Sequence, residues 1–349
     1  MRALISALRR LRANLRNEVL VLPSRVFVLA ACIALLALPL AWDDPYVLRV
    51  LTMASIFAIF AASWDLLAGY TGQVNFGHAL FFGIGAYVSA LLSLRLGVPP
   101  WLTLPAGAVA AMIAGVLAGT LCLRLRGSYL SLATLAFPLI LTGILFAFPD
   151  FSGSELGLSG LPRIVGSPMA NYYLAVLLML ALVLAMWLIG DSHTGLIFHA
   201  IREDEVAARA SGINTTRYKL LAFALSGLFA GVAGALFAHF MRVAGPSSLE
   251  VALSFQAVIW GVFGGVATIY GPVIAVFTLY PLTELLATFD AFRQVRLLAF
   301  SVIVLLVLLF MPRGFTPWIR DKIETVCPRC KNRNACTRHH CRLCSASLR

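Results

Sequence analysis

Between Gly195 and Phe240 the sequence reads GLIFHAIREDEVAARASGINTTRYKLLAFALSGLFAGVAGALFAHF, a charged island followed by a long apolar run. The run that begins near Leu220 is long enough to cross a bilayer. In a membrane protein, a charged segment between two apolar segments lies outside the lipid, and we expect it to make a contact there. The stretch therefore predicts membrane-crossing helices joined by a polar helical segment.

The composition of the whole chain agrees with this prediction. Of the 349 residues, 60% are hydrophobic and only 12% are charged, whereas soluble domains carry roughly 25% charged residues. The mean hydropathy is +0.91. A net charge of +12 is typical of the cytoplasmic loops of a membrane protein, so we expect no nucleic-acid partner. The sequence indicates an all-α polytopic membrane protein.

Apolar runs recur along the chain and predict about 8–10 transmembrane helices, some of them broken or re-entrant. The runs are 26–43, 46–69, 77–96, 101–122, 128–149, 172–190, 218–241, 252–268, 271–288 and 295–311. The pair 252–288 is interrupted at Gly264-Gly265 and again at Gly271-Pro272. The arginine-rich segment before the first run predicts a cytoplasmic N-terminus, and an even number of spans then places the basic C-terminal tail on the same side.

The charged island itself has a helical composition. Its glutamates come early and Arg209 comes late, an order that suits the helix dipole, and Gly212 suits a helix end. Ala207 and Ala208 offer a face small enough to enter a groove on another protein. Composition alone also allows a solvated surface helix between two spans.

The island and its surroundings resemble the permease subunits of branched-chain amino-acid ABC transporters. The segment EVAARASG from Glu205 to Gly212 is similar to the Glu-Ala-Ala…Gly loop of bacterial ABC importer permeases, with Val206 in place of the first Ala. Further matching blocks follow the family's order at Gly69–Tyr87, Leu125–Leu135, Gly153–Pro162, Gly264–Pro272 and Met311–Gly314. The resemblance covers about residues 26–318. Departures from it include Asp65, where the family more often has Asn, Ser154 in the usual double glycine, and Ala267.

The resemblance implies the ABC importer permease fold in a bacterial-type cytoplasmic (inner) membrane. In that family the loop, here at about 195–217, forms a short coupling helix docked on a cytoplasmic ATPase. The residues it assigns to coupling are Arg202, Glu203, Asp204, Glu205, Ala207, Ala208 and Gly212. The implied partners are ABC ATPase subunits, a second homologous permease subunit, an extracytoplasmic solute-binding protein and membrane lipid.

The chain has no Gly-x-x-x-x-Gly-Lys-Ser/Thr phosphate loop, so ATP hydrolysis belongs to partner subunits and we expect no enzymatic activity and no cofactor in the permease domain. The resemblance points to ATP-driven uptake of branched-chain, hydrophobic amino acids. Permeases of this type also serve urea, amides and other amino acids. An ATPase-independent secondary transporter is a further alternative, but no Asp/His chain of pump type repeats at helical spacing.

Small residues within the spans predict close helix packing or a pathway lined by backbone. The candidates for either role are Gly77, His78, Gly83, Gly85, Gly264, Gly265, Gly271 and Pro272.

The end of the chain is rich in cysteine. Two C-x-x-C pairs, Cys327/Cys330 and Cys341/Cys344, have the spacing of a structural zinc site, and a reducing cytoplasm disfavours disulfides there. Cys336, His339 and His340 are spare candidate ligands. A basic disordered tail that binds metal loosely, and a membrane-anchored metal sensor, remain as alternatives.

The predicted organisation thus has three parts. They are a basic amphipathic arm at 1–25, a permease domain at 26–318 and a cytoplasmic Cys/His-rich tail at 319–349.

Overall fold

The structure is a computed structural model that describes residues 23–41, 44–123, 125, 127–288, 301–302, 305–306, 309–311, 314–330, 333–336, 338–341 and 344–347. The predicted arm at 1–25 and the predicted span at 295–311 lie largely outside these residues. The chain divides into two compact units. One is Asp44–Gly314, and the other combines Met1–Asp43 with Phe315–Arg349.

Helices dominate the larger unit. They are α2 (Pro45–Thr71), α3 (Ala79–Leu96), α4 (Pro100–Cys122), α5 (Ser128–Ala147), α6 (Pro149–Ser152), α7 (Pro168–Gly190), α8 (His193–Glu203), α9 (Glu205–Ala210), α10 (Thr215–Met241), α11 (Val251–Gly264) and α12 (Tyr270–Thr288). The 3-10 turns Ser154–Leu156 and Pro246–Leu249 and the strands β1 (Leu158–Ser159) and β2 (Val243–Ala244) lie between them. The smaller unit contains α1 (Pro23–Ala41), α13 (Phe315–Ile323) and the strands β3 (Glu324–Val326) and β4 (Arg333–Ala335).

The predicted all-α polytopic architecture is confirmed. Among the described residues, seven helices are long and apolar enough to span a membrane: α2, α3, α4, α5, α7, α10 and α12. The run predicted at 26–43 is helix α1, whose apolar part Val28–Pro39 is shorter than a span, and the run predicted at 252–268 is the 14-residue helix α11. The pair α11–α12 is thus a broken element, as the glycines predicted.

Local chemistry sets the helix boundaries. Helices α2, α4 and α7 have proline in their first turn, where the fixed φ favours the helix and no N–H is lost. The Asp44 side chain accepts a 2.9 Å hydrogen bond from the Tyr46 N–H at the start of α2. Gly72, at φ +70°, ends that helix in the left-handed conformation that glycine adopts without strain.

Helix α2 is the axis of the larger unit, since its apolar segment is completely buried. Helices α3, α4 and α10 pack closely against one another through small residues. A Cβ atom on Gly85 would overlap the backbone of Gly231, and one on Gly227 would overlap the backbone of Ala111. These approaches let the helix backbones meet directly, which maximises dispersion contacts where no hydrophobic force drives association.

The two ends of this bundle differ. At one end the segment between α7 and α10 folds against the end of α2, where Arg202 approaches Gly72. At the other end β1 pairs antiparallel with β2, with Leu158 opposite Ala244. Helix α2 has 27 residues and so separates the two ends by about 40 Å.

In the smaller unit, β3 and β4 form an antiparallel hairpin with Glu324 opposite Ala335 and Val326 opposite Arg333. Helix α13 runs directly into β3. Cys327 and Cys330 lie in the loop that joins β3 to β4, and Cys341 and Cys344 follow β4. The domain boundaries predicted at 25 and 318 remain predictions.

Candidate coupling site and metal site

Helices α8 and α9, residues 193–210, form what we call the coupling segment. Ser192 starts α8 by accepting a 3.2 Å hydrogen bond from the Thr194 N–H. Asp204 has an extended backbone, with φ −153° and ψ 103°, so it ends α8 and starts α9. Its Oδ1 accepts hydrogen bonds from the N–H groups of Val206 (2.8 Å) and Ala207 (3.0 Å). The predicted single helix is therefore two short helices joined at Asp204.

One face of the coupling segment is buried against its own chain. Ile197, Ile201 and Ala208 form a small cluster, packed against Ile213 and Tyr218. Ala208 is only 6% exposed and packs against its own chain. The prediction that Ala208 offers a face to a partner protein is therefore wrong. Ala207 lies on the exposed face, beside Val206, which is 71% exposed. Val206 was not among the predicted coupling residues.

Glu205 fixes α9 to the start of α10. Its Oε2 accepts a 2.6 Å hydrogen bond from Lys219 Nζ, and its Oε1 contacts Arg209 at 2.8 Å and Thr215 Oγ1 at 3.3 Å. Partial burial opposes ionisation of Glu205, but the bond and charge of Lys219, with Thr215 and Arg209, outweigh it and lower the pKa of this carboxyl. The Lys219 side chain is only 8% exposed, so Glu205 neutralises a cation that is nearly out of water. Neither Lys219 nor Thr215 was among the predicted coupling residues: Lys219 lies in the apolar run predicted at 218–241, and Thr215 lies in the predicted loop but beyond its charged stretch.

Arg202 fixes α8 to the end of α2. Its Nη1 donates a 2.7 Å hydrogen bond to the Gly69 carbonyl, which is one of the carbonyls left free at a helix C-terminus. Positive charge is favourable at that end of a helix. The rings of His199 and Tyr70 meet beside it, with centroids 4.6 Å apart. Burial lowers the pKa of His199, the positive charge of Arg202 lowers it further, and the neutral ring is therefore favoured.

One turn before Gly69 on the same helix, Asp65 holds the break between α11 and α12. Asp65 is completely buried, and its carboxylate accepts three backbone hydrogen bonds, from Ala267 (2.7 Å), Thr268 (2.9 Å) and Ile269 (2.8 Å). These N–H groups precede α12, so the carboxylate acts as a remote cap on its positive end.

The break is strained. Ala267 and Ile269 both have positive φ, 62° and 58°, a conformation that costs a residue with a Cβ of the order of 1–3 kcal/mol. Such a conformation persists only where surrounding contacts determine it. Here those contacts come from Asp65 and from Thr268 Oγ1, which donates 2.6 Å to the Gly265 carbonyl.

The family model for the permease component of branched-chain amino acid transport systems matches residues 46–312. The chain belongs to this family. The match includes the coupling segment, the Asp65 contact and both helices of the broken pair.

Several relatives of known identity extend this result. LivM of Salmonella typhimurium, a permease protein of high-affinity branched-chain amino acid transport, is 29% identical over 336 residues, which are 86% of this chain and 78% of LivM. LivH of Escherichia coli, from the same kind of system, is 27% identical over 308 residues (79% and 95%). The ribose import permease RbsC of Haemophilus influenzae is 24% identical over 276 residues (75% and 84%). No solved structure matches the chain.

Within the family match, the predicted pathway or packing residues lie at close helix contacts. A Cβ atom on Gly77 would overlap the Thr134 carbonyl, one on Gly83 would overlap the Leu249 side chain, and Gly85 faces Gly231. Gly264 packs against the backbone of Gly271 and Pro272, and Gly265 lies against Gly314. His78 is completely buried, with Nε2 2.9 Å from Ser63 Oγ. A part for these residues in the transport pathway stays a prediction.

The cysteine pairs lie beyond the family match. The Sγ atoms of Cys327, Cys330, Cys341 and Cys344 all lie within 4.8 Å of one another. The closest are Cys330 to Cys341 at 3.4 Å and Cys327 to Cys344 at 3.6 Å. Sulfur atoms around a tetrahedral Zn²⁺ are about 3.8 Å apart, since each Zn–S bond is about 2.3 Å long. The four thiols therefore already have almost the spacing that zinc requires.

The surroundings of the four thiols also suit a cation. Hydrogen bonds from the backbone of Cys330 and Arg329 lower the pKa of Cys327, and a thiolate is the form that binds metal. Asn334 Nδ2 lies 3.5 Å from Cys341 Sγ and supplies a donor to a second ligand. Cys336 is outside the cluster, because its sulfur contacts the Lys322 carbonyl and Thr325 instead. Neither His339 nor His340 joins the cluster.

Proposed function

We propose that this chain is the membrane-spanning permease subunit of an ATP-driven ABC importer for branched-chain, hydrophobic amino acids. The observation that carries the proposal is the coupling segment, two short helices held on one face by α2 and α10 and open on the other. The names of LivM and LivH, relatives over most of the chain, support the substrate class.

In this proposal the coupling segment faces the cytoplasm. The arginine-rich stretch before α1 favours a cytoplasmic N-terminus. With the run predicted at 26–43 counted as the first crossing and α2 as the second, the end of α2, the end of α7 and the coupling segment come to the cytoplasmic side. The end of the bundle with β1 and β2 then faces outward, towards the solute-binding protein.

The exposed face of the coupling segment is the proposed docking site for the ATPase. Val206 and Ala207 supply a small apolar centre, and Glu203 and Arg209 supply charge at its edges. An apolar centre with a charged rim is the usual composition of a protein interface. Asp204 and Glu205 act differently, since they shape and anchor α9 from within the chain. Gly212, at φ +85°, turns the chain towards α10.

Two contacts carry motion from this face into the membrane. A displacement of α8 reaches α2 through Arg202 and Gly69, and a displacement of α9 reaches α10 through Glu205 and Lys219. Helix α2 passes it on at Asp65, which holds the strained break before α12. The coupling segment and the broken pair thus act on adjacent turns of α2. Alternating access then follows from ATPase closure moving these helices as a group, with the chemistry of ATP left to the partner subunits.

Transport by reconstituted components tests the proposal. The purified chain is placed in proteoliposomes with ABC ATPase subunits, a second permease subunit of LivH type and a solute-binding protein. We expect ATP-dependent accumulation of labelled leucine, competed by isoleucine and valine but not by ribose, urea or small amides. Accumulation that needs neither ATP nor the ATPase would make the chain a secondary transporter instead. Competition by ribose or urea would mean that the substrate is a sugar or a urea-like compound, as it is for other permeases of similar type, and not a branched-chain amino acid.

We further propose that the C-terminal cysteines hold a structural Zn²⁺ with Cys327, Cys330, Cys341 and Cys344 as its ligands. Support comes from the mutual approach of the four sulfur atoms and from their arrangement as two C-x-x-C pairs, one in the loop of a hairpin and one after its second strand. Zinc would supply the energy that orders this short segment, because so small a unit buries little apolar surface.

A further inference from the structure

At the end of the bundle remote from the coupling segment, a cavity of about 330 Å³ lies between α2, α7 and α10. It is lined by the starts of α2 and α7, by the end of α10 and by the loop that precedes α7. Leu48, Thr52 and His239 line it as well, and each of them is at most 2% exposed. The cavity therefore reaches from the surface down to the core of the larger unit. Its volume is that of a small-molecule site.

Three arginines line this cavity: Arg49 on α2, Arg163 on the loop and Arg242 after α10. None of them forms an ion pair with an Asp or Glu among the described residues. Arg242 donates a 3.0 Å hydrogen bond from Nε to the Leu161 carbonyl, which orients its guanidinium without neutralising it. Three like charges at one cavity repel one another, and an anion placed among them removes that cost.

The other lining groups restrict what the anion belongs to. Leu48, Phe240 and Met241 supply an apolar part. Asn171 uses its amide nitrogen on the carbonyls of Val165 and Ser167, which leaves its Oδ1 as an acceptor. Guanidinium groups, an apolar wall and one amide acceptor match a carboxylate, an alkyl side chain and an ammonium group. A sugar offers no carboxylate to the arginines.

We propose that this arginine cavity is an entry site that binds the carboxylate of an aliphatic amino acid before it passes between the helices. The inference rests on the proposed function for its substrate class. The small volume and the buried floor favour a free small molecule over an acidic surface of the solute-binding protein, which would need a broad, exposed patch.

A cysteine inside the cavity tests this directly. Gly166 lines the cavity, and a side chain added there meets open space, so Gly166→Cys is tolerated sterically. In the assembled transporter without ATP, that cysteine is modified with an anionic and with a cationic methanethiosulfonate, each rate normalised to the rate with a free thiol. The modified peptide is identified by mass, which separates it from the native cysteines. We expect the anionic reagent to react about tenfold faster at low salt, because the field of the arginines concentrates it.

Substitutions and competitors complete the experiment. The combined Arg49→Gln and Arg163→Gln changes should remove most of this rate difference, whereas Arg95→Gln should leave it intact. Arg95 is a matched control, because it lies towards the same end of the bundle but donates to the Asp150 carbonyl away from the cavity. Millimolar leucine and acetate should slow the modification, and leucinol, which lacks the carboxylate, should not.

Equal rates for the two reagents, or equal protection by leucine and leucinol, would overturn the proposal. Protection by the unloaded solute-binding protein but not by leucine would also overturn it and make the cavity a docking surface. Glu205→Arg in the same background separates this inference from the transport assignment. It should abolish ATP-driven uptake and leave protection by leucine unchanged, since the cavity and the coupling segment lie at opposite ends of α2.

Discussion

Asp65 lies on α2 one turn before Gly69, the residue that Arg202 binds, although 137 positions separate Asp65 from Arg202 in the chain. Arg202 holds the Gly69 carbonyl, and Asp65 holds the N–H groups of residues 267–269. Both the coupling segment and the broken pair α11–α12 therefore contact the end of α2. A change at either contact alters how movement of the coupling segment reaches the membrane.

Removal of the Asp65 carboxylate should uncouple transport from ATP hydrolysis. Asp65→Ala leaves three N–H groups without acceptors and releases the strained break; the two that are buried, those of Thr268 and Ile269, cost about 1–3 kcal/mol each. We expect a lower thermal unfolding temperature, retained ATPase activity and little uptake. Asp65→Asn keeps one acceptor oxygen, so its unfolding temperature and its uptake should lie between those of the wild type and of Asp65→Ala. The ratio of leucine transported to ATP hydrolysed measures the effect, and a wild-type ratio in Asp65→Ala would contradict it.

The Glu205–Lys219 pair should contribute to the free energy of unfolding mainly because Glu205 keeps the nearly buried Lys219 cation from being unpaired. The attraction between the two charges should contribute less. Glu205→Ala leaves Lys219 nearly buried without a counter-charge, so we expect a loss of about 1–3 kcal/mol in unfolding free energy. The double variant with Lys219→Met should recover much of it. Arg209→Gln is the control, because the Arg209 side chain is 56% exposed and an exposed pair contributes little. If Glu205→Ala and Lys219→Met had additive effects on the free energy of unfolding, an energetic interaction between the two residues would be ruled out.

The same pair predicts a pH dependence of stability. The pKa of Glu205 is lowered in the folded chain from its ordinary value of 4.5. Its contribution is therefore fully present above pH 4.5 and is lost as the pH falls through the lower, folded value. The difference in unfolding temperature between wild type and Glu205→Gln should be constant at neutral pH and shrink below pH 4.5. A difference that grows on acidification would have the wrong sign.

Close helix contact makes Gly85 sensitive to a single methyl group. Gly85→Ala places a Cβ atom against the Gly231 backbone, and overpacking of this kind costs about 1–3 kcal/mol. Gly143 on α5 is a matched control, because a Cβ there meets open space, and Gly143→Ala should be neutral or slightly stabilising. Thermal unfolding in detergent compares the two. Equal behaviour would mean that α3 and α10 are not in direct backbone contact.

The cysteine cluster predicts a metal content that depends on particular thiols. Purified protein should contain about one zinc per chain. Cys341→Ser should lose it, whereas Cys336→Ser should retain it, since the Cys336 sulfur contacts Lys322 and Thr325 outside the cluster. Elemental analysis checks this on the intact chain. Equal zinc in both variants would exclude the proposed ligand set.

The features that the sequence predicted are those written in local patterns. Apolar run length predicted the seven span-length helices of the described residues, the glycines at 264–265 predicted the break, and C-x-x-C spacing brought together four cysteines that also lie together in the structure. Contacts between distant positions were not accessible in this way. Nothing near Asp65 indicates that its partners are residues 267–269, and the alanine pair at 207–208 does not reveal which of its members turns inward.

The proposed docking site of the ATPase is the exposed face of the coupling segment. Val206→Arg tests it most directly, because Val206 is 71% exposed and its replacement disturbs no buried contact. Leu156→Arg is the control, an 88% exposed apolar residue towards the opposite end of the bundle. The quantity to measure is the amount of ATPase subunit that co-purifies with each variant. We expect the ATPase to be lost with Val206→Arg and recovered at the wild-type level with Leu156→Arg; wild-type recovery with Val206→Arg would mean that the ATPase does not dock on this face.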